Sequence, residues 1–160
     1  MHTLETIIRT YGPALARVAS SYEVDRALRE DLLQEMLLAI HRALPTLRDD
    51  ASLAPFVFRI AHNRGVTHVL RERAARRNAV QIEPSDSPET PEESRIEADR
   101  TQRLHAAIRR LPLPYRQVIT LVLEELSHQE IGETLGLSVS NVGVRVSRAK
   151  GQLKELLRDE

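Results

Sequence analysis

The stretch SHQEIGETLGLSVSNVGVRVSRAKGQL, residues 127–153, decides the fold of this chain. Ser127 followed three positions later by Glu130 is the pattern of a capping box, which starts a short helix. Gly136 can adopt the left-handed backbone conformation that ends such a helix, and Ser138 can cap a second one. Two helices that meet at a steep angle through a short glycine-containing turn form a helix-turn-helix unit.

The second helix of this unit carries the side chains that would meet DNA. In a helix-turn-helix, the N-terminal part of the second helix enters the major groove, and here that part exposes Ser140, Asn141 and Arg145. Arg148 and Lys150 follow, and both suit base edges or phosphates. The alternative is an αα-hairpin whose serine and arginine side chains are only solvated. Because the glycine, the caps and the spacing agree with one another, we favour the DNA-binding unit.

The rest of the chain has a helical pattern as well. Apolar residues recur at helical spacing over residues 4–22, 26–44, 53–76, 97–111 and 118–123. Gly12 and Pro13 interrupt the first of these segments and predict a kink, whereas Asp25 and Pro45 suit the two ends of the second. No segment alternates between apolar and polar residues as a strand does. The predicted fold class is therefore all-α.

Residues 78–96 differ in composition from both of their flanks. They contain three prolines, several serine and threonine residues and many acids, and no apolar period survives there. We therefore predict two small helical domains, residues 1–77 and 97–160, joined by a flexible acidic linker at residues 78–96.

The charges of the chain cancel overall but not locally. The formal net charge is zero, yet six arginines and a single acid lie between residues 59 and 77. Seven acids and two arginines lie between residues 81 and 100. Charges act within a Debye length of about 8 Å at physiological salt, so the basic block can still bind nucleic acid. The opposed blocks also motivate a hypothesis, a closed arrangement of the two domains that hides their DNA-binding faces.

Composition and motifs narrow the classes of function. The chain has no cysteine, which excludes disulfides and thiolate metal sites. It has neither a signal-peptide pattern nor an apolar run of the roughly 20 residues that span a bilayer, so we expect a cytoplasmic protein without membrane insertion. No two of its six histidines stand four positions apart, so the helix with two histidines and a glutamate that binds zinc in metalloproteases is absent. No phosphate-binding loop or nucleophile motif is present either. We expect no enzyme, metal site or cofactor, and interpret the histidines as surface or packing groups.

Three stretches of the sequence, two in the N-terminal half and one in the C-terminal half, resemble the extracytoplasmic-function sigma factors, small promoter-recognition subunits of bacterial RNA polymerase. Residues 111–149, LPLPYRQVITLVLEELSHQEIGETLGLSVSNVGVRVSRA, resemble region four of that family. Upstream, DLLQEMLLAI (residues 31–40) resembles the core-binding helix of region two. The next block, APFVFRIAHNRGVTHVLRERAARR (residues 54–77), resembles the helix that opens and reads the minus-ten element. The blocks stand in the family's order, with an acidic linker between them and no region three.

The resemblance implies partners for two faces of the N-terminal half. Asp31, Gln34 and Glu35 would face the coiled coil of the polymerase β′ subunit, where acids would set specificity and association rate; the alternative is an ordinary solvated helix face. Arg59, Asn63 and Thr67 share one face of the third helix and would read a flipped base of the melted minus-ten strand. Further arginines would contact the DNA backbone, namely Arg71, Arg73, Arg76 and Arg77. The alternative is a basic helix end favoured by the macrodipole.

The same resemblance implies that the C-terminal domain reads the minus-thirty-five element and touches the polymerase β subunit. The implied partners are core polymerase, promoter DNA and an anti-sigma factor. Three positions depart from the family pattern. Phe56 replaces the usual tryptophan, and Gly143 and Val144 replace a basic residue and a serine on the DNA-reading face. Two other functions therefore stay open: a sigma-like decoy that binds an anti-sigma factor, and a conventional helix-turn-helix regulator.

Overall fold

Helices form all the regular structure of the residues that the computed structural model describes, which are 2–48, 51–78 and 95–159. Seven α-helices and one 3-10 turn follow one another, with these bounds: α1 Leu4–Ser20, α2 Arg26–Ala43, the 3-10 turn Leu44–Thr46, α3 Leu53–Asn78, α4 Arg95–Arg109, α5 Leu113–Leu123, α6 His128–Leu135 and α7 Val139–Arg158. The predicted all-α class is confirmed. Residues 79–94, most of the predicted acidic linker, lie outside the described residues.

Local side-chain chemistry explains where the first helices begin and end. The Asp25 side chain accepts the backbone N–H of Leu28 at 3.1 Å and caps α2, as the sequence predicts. Pro45 lies in the 3-10 turn that follows α2, where its ring cannot continue an α-helix. Pro13 lies inside α1, which continues through it as one helix from Leu4 to Ser20.

Helices α1, α2 and α3 pack against one another in the N-terminal half. Their shared core is aliphatic and includes Leu15, Met36 and Ile40. Tyr22, in the turn after α1, lies against α3 at Gly65. A Cβ atom at Gly65 would come within 2.5 Å of the Tyr22 ring. The close approach of this turn to α3 therefore requires glycine at position 65.

Helices α4 to α7 form the C-terminal half, in which α7 packs against each of the other three. Its core is again aliphatic and includes Ile108, Leu121, Ile131 and Val142. The turn between α5 and α6 contains Glu125 at φ 65°, the left-handed region in which side chains other than glycine are strained.

The two halves are in direct contact. Helix α3 packs against α5 and α6 as well as against its own half, and the buried apolar residues of both halves form one cluster. Arg17 of α1 forms a bidentate ion pair with Glu124, with N···O distances of 2.7 and 2.8 Å. The side chain of Glu124 is 9% exposed and that of Arg17 54%. The packing of α3 on α6 brings the predicted minus-ten helix against the helix-turn-helix.

Candidate nucleic-acid interface

The helix-turn-helix forms as its sequence predicts. Ser127 and Glu130 make both hydrogen bonds of a capping box at the start of α6. Gly136 ends α6 at φ 71°, and the Ser138 hydroxyl accepts the backbone N–H of Asn141 to cap α7. Each predicted local device is therefore present in the structure.

One further glycine sets the crossing of these two helices. A Cβ atom at Gly132 would lie 2.6 Å from the carbonyl oxygen of Leu137, which belongs to the turn. Only glycine allows the backbone of α6 to come this close to the turn. Gly132 was not predicted to have this role, because a glycine inside a short helix has no neighbouring cap or turn residue that indicates a contact with a residue five positions away.

The predicted DNA readers of α7 are accessible. Ser140, Asn141, Arg148 and Lys150 are exposed and Arg145 is half-buried, whereas Val142 on the opposite face is fully buried. No described residue forms an ion pair with the arginines or the lysine. The face that would enter a major groove is therefore open to solvent.

Of the three positions that depart from the family pattern, Gly143 and Val144 lie on α7. A Cβ atom added at Gly143 would meet nothing within 4 Å. Val144 is 46% exposed. Compared with the family pattern, Gly143 and Val144 therefore remove two polar groups from α7. Tight packing of these two residues does not compensate for the loss.

On α2, the predicted polymerase-binding residues form an exposed polar face. Asp31, Gln34 and Glu35 are exposed, while Leu32 and Met36 are buried on the other side. Exposed apolar side chains also lie on this helix, Leu28 at 40% and Leu38 at 47%. Exposed leucines beside polar side chains are compatible with the apolar core and polar rim of a protein–protein interface.

On α3, the three predicted base readers differ in their surroundings. Asn63 is exposed and Thr67 is half-buried. Arg59 is engaged by the other half of the molecule: its guanidinium donates to the carbonyl oxygens of Glu133 and Thr134 at 2.5 and 3.3 Å. The sequence analysis did not foresee this contact. The arginines that are predicted to contact the DNA backbone all lie exposed on the last turns of α3, namely Arg71, Arg73, Arg76 and Arg77.

Beside Arg59, a buried polar network joins the two halves. The Tyr22 hydroxyl lies 2.6 Å from His62 Nδ1, and the Thr120 hydroxyl lies 3.2 Å from His62 Nε2. Because Thr120 donates its own hydrogen to a backbone carbonyl of α5, Nε2 must donate to Thr120 and Nδ1 must accept from Tyr22. Arg116 lies over the Tyr22 ring at 5.7 Å. His62 was expected to be a surface or packing group, and it is a buried residue of α3 that links the turn after α1 to α5.

Burial strongly affects the protonation of this network. His62 is 1% exposed, and burial lowers its pKa from 6.5 to about 3 because the charged imidazolium loses its hydration. Burial also raises the pKa of Tyr22, against the opposing effect of the Arg116 charge. Both groups are therefore neutral at physiological pH.

A second histidine lies in a compact group with two carboxylates. Glu23, His68 and Glu72 each place one ligand-type atom within 4.8 Å of the others, and His68 Nε2 lies 2.9 Å from a Glu23 oxygen. The other Glu23 oxygen accepts the backbone N–H of Asp25. His68 and Glu72 stand four positions apart on α3 and therefore share one face of the helix. This spacing is visible in the sequence, but it pairs a histidine with a glutamate and not two histidines. The contact ties the turn before α2 to α3.

Comparison with known proteins decides the family. The profile described as sigma-70 region 2 matches residues 7–75, and that described as sigma-70, region 4 matches residues 101–153. The RNA polymerase sigma factor SigZ of Bacillus subtilis is 31% identical over 134 residues, which are 83% of this chain and 74% of SigZ. This chain belongs to the sigma-70 family.

Within that family it is a sigma factor of the extracytoplasmic-function type. The ECF sigma factor SigE of Mycolicibacterium smegmatis is 28% identical over 170 residues, which are 98% of this chain and 62% of SigE. Two solved structures share the fold. CnrH in complex with the cytosolic domain of CnrY has a TM-score of 0.71 at 24% identity, over 98% of this chain and 88% of CnrH. RpoE in complex with the anti-sigma factor NepR from Bartonella quintana has a TM-score of 0.72 at 22% identity, over 96% of each chain.

All the predicted site residues except Arg76 and Arg77 fall within the matched regions. The α2 face and the α3 readers up to Arg73 lie in the region 2 match, and all five α7 readers lie in the region 4 match. Among the described residues, no helix is long and apolar enough to cross a membrane.

Proposed function

We propose that this sigma factor binds core RNA polymerase and directs it to promoters, with α3 reading the melted minus-ten strand and α7 reading the minus-thirty-five duplex. The observation that carries the proposal is the presence of two separate, solvent-accessible sets of DNA-type side chains on one chain. Asn63 and the arginines at the end of α3 form one set. The exposed N-terminal half of α7 forms the other.

On α3, the chemistry suits single-stranded DNA. Asn63 can form two hydrogen bonds with the edge of an unpaired base, and Arg59 and Thr67 lie one turn to either side of it. The exposed arginines from Arg71 to Arg77 would neutralise phosphates, so that binding weakens steeply as salt is added. Asp31, Gln34 and Glu35 on α2 would bind the β′ subunit.

On α7, the proposed readers are Ser140, Asn141 and Arg145, with Arg148 and Lys150 on phosphates. Gly143 offers no side chain to the groove. Val144 offers a surface that suits the methyl group of thymine. The minus-thirty-five sequence that this helix prefers therefore differs from that of relatives with two polar residues there.

The proposal extends to domains, partners and location. Residues 1–77 would be the polymerase and minus-ten domain, residues 78–96 the linker, and residues 97–160 the minus-thirty-five domain. We propose an anti-sigma factor as a further partner, because CnrH and RpoE have been solved in complex with the cytosolic domain of CnrY and with an anti-sigma factor, respectively. As a non-catalytic subunit of a transcription complex, the protein would act in the cytoplasm and need no cofactor.

In vitro transcription tests the proposal. Purified core polymerase is supplied with this protein and with DNA from upstream of its gene or a genomic fragment pool. We expect discrete new transcripts, which Asn63→Ala reduces by about fivefold or more, since one good base contact contributes about 1–3 kcal/mol. Gln152→Ala, which truncates an exposed amide near the end of α7, is the matched control. An absence of transcripts, from a polymerase that is active with another sigma factor, would contradict the proposal and favour the decoy function.

A further inference from the structure

The group formed by Glu23, His68 and Glu72 has no part in the proposed function. One ligand-type atom of each side chain lies within 4.8 Å of the other two. Imidazole nitrogens and carboxylate oxygens are ligands that zinc and other divalent first-row transition metals bind in proteins. The sequence was not expected to hold a metal site, since Glu23 lies 45 positions before His68 and only the packing of the turn after α1 on α3 brings them together.

Hydrogen bonds hold Glu23 in one position. Its backbone N–H donates to the Ala19 carbonyl oxygen at 3.0 Å, and one of its carboxylate oxygens accepts the backbone N–H of Asp25 at 3.0 Å. The other carboxylate oxygen lies 2.9 Å from His68 Nε2. The side chain of Glu23 is 9% exposed and that of His68 15%. Both side chains are therefore already ordered and largely out of water, so that little further conformational entropy is lost when they bind an ion.

On α3, Glu72 completes the group one turn after His68. The half-buried Glu72 carboxylate lies beside that of Glu23. Within the described part of the chain, neither an ion pair nor a hydrogen bond fixes the Glu72 carboxylate. Two ionised carboxylates at such a distance repel each other. A divalent cation between them would replace this repulsion by attraction.

The distances within the group are short enough for one ion. Zinc–nitrogen and zinc–oxygen bonds of about 2.1 Å place the ligand atoms of a tetrahedral site about 3.4 Å apart. The atoms here are at most 4.8 Å apart, so side-chain rotations that close about 1.4 Å are enough to bring all three onto one ion. His68 would bind through Nε2 with its ring hydrogen on Nδ1, and the ion would then replace the present hydrogen bond to Glu23.

We propose that Glu23, His68 and Glu72 bind one divalent transition-metal ion, for which zinc is the natural probe because it imposes no geometry of its own on nitrogen and oxygen ligands. The ion joins the turn between α1 and α2 to α3, and water occupies its fourth coordination position. The inference goes beyond the function proposed above, which needs no bound ion. Because the ligands converge only in the folded chain, the ion stabilises the folded state by mass action.

Zinc titration of the untagged full chain tests the inference. Competition with a chromophoric chelator measures the stoichiometry and the affinity, and circular dichroism follows thermal unfolding at each zinc concentration. We expect one ion per chain and an unfolding temperature that rises with zinc. A large excess of magnesium should not displace the zinc, because magnesium prefers six oxygen ligands. The chain has no cysteine, so thiolates contribute nothing to the measured binding.

Two ligand variants and two matched controls locate the bound ion. Glu72→Gln and His68→Gln each remove one ligand, whereas Glu155→Gln and His41→Gln remove the same groups from exposed positions elsewhere. Loss of a residue that only supports a metal ligand weakens metal binding by about 10–100-fold, so each ligand variant should bind zinc roughly tenfold more weakly or worse. The rise in unfolding temperature with zinc should disappear with it. Both controls should behave as the wild type.

Equal zinc affinity in the wild type and the ligand variants would place the ion elsewhere on the surface and overturn the inference. A wild-type chain that binds no zinc at micromolar concentration would overturn it as well. Circular dichroism without zinc checks that each variant is folded, and Glu72→Gln, at a half-buried position, decides the matter if His68→Gln does not fold. Neither measurement uses polymerase or DNA. A failure to bind zinc therefore leaves the proposed function intact, and a failure to direct transcription leaves the metal site intact.

Discussion

Lowering the pH should reduce the free energy of unfolding of this protein through one buried side chain, His62. Its neutral ring is held between Tyr22 and Thr120, and its pKa in the native state is about 3. In the unfolded chain the pKa of histidine is about 6.5. Because the native pKa is the lower one, the stabilising contribution of neutral His62 is complete above about pH 6.5 and is lost as pH falls towards 3.

The size of the effect follows from this difference. Between about pH 7.5 and about pH 5.5 the unfolded chain gains close to one proton at this position, while native His62 gains almost none. The free energy of unfolding should therefore fall by about 1.4 kcal/mol over that interval, and by a similar amount for the next pH unit down. Urea unfolding followed by circular dichroism at each pH measures it.

His62→Gln is the comparison that isolates this group. Its amide can still hydrogen-bond across the boundary but does not titrate, so the pH-dependent loss should shrink by about 1.4 kcal/mol between the same two pH values. Other groups, such as His105, whose pKa burial also lowers, titrate equally in both proteins and cancel in the difference. Equal pH slopes for the two proteins would refute the assignment of a neutral, buried His62.

Three further substitutions test the backbone geometry by the same unfolding assay. Gly65→Ala should destabilise the protein by about 1–3 kcal/mol, because its Cβ would overlap the Tyr22 ring, which hydrogen bonding holds in place; unchanged stability would mean that Tyr22 can move away. Glu125→Gly should stabilise the protein by about 1 kcal/mol, since glycine removes the strain at φ 65°. A lower free energy of unfolding would show that contacts of the Glu125 side chain stabilise the fold by more than the backbone strain destabilises it. Gly143→Ala should also stabilise the protein, by about 1 kcal/mol, because position 143 lies away from the ends of α7 and an added Cβ would meet no neighbouring atom. An unchanged free energy of unfolding would show that the higher helix propensity of alanine does not stabilise α7 at this position.

Much of the fold was predictable from the sequence because its signals are local. The capping box of Ser127 with Glu130, the left-handed Gly136 and the cap at Ser138 each act within five residues, and all are present. The exposed polar face of α2 and the exposed arginines of α3 follow from helical period alone. The family resemblance added the order of the two regions, which the comparisons confirm.

The candidate site was predictable only in part. The positions of the readers along α3 and α7 follow from the sequence, but their environments do not. Arg59 was expected to contact DNA; its side chain is exposed, and its guanidinium also donates to two carbonyl oxygens of α6, a contact that the sequence did not indicate. His62 was expected to be an ordinary surface or packing group, and it hydrogen-bonds both to the turn after α1 and, across the boundary between the halves, to α5.

By itself, the sequence determined the class of fold, the bounds of most helices, the helix-turn-helix and the family. These features depend on periodicity, caps and turn residues, whose physical causes act between near neighbours in the chain. Only the tertiary structure decided the closed contact between the halves. The groups that form it are far apart in sequence, by 58 positions for His62 and Thr120, 75 for Arg59 and Thr134, and 107 for Arg17 and Glu124. Hydrogen bonds over such separations leave no periodic signal, since they depend on how the packed helices place donors and acceptors in space.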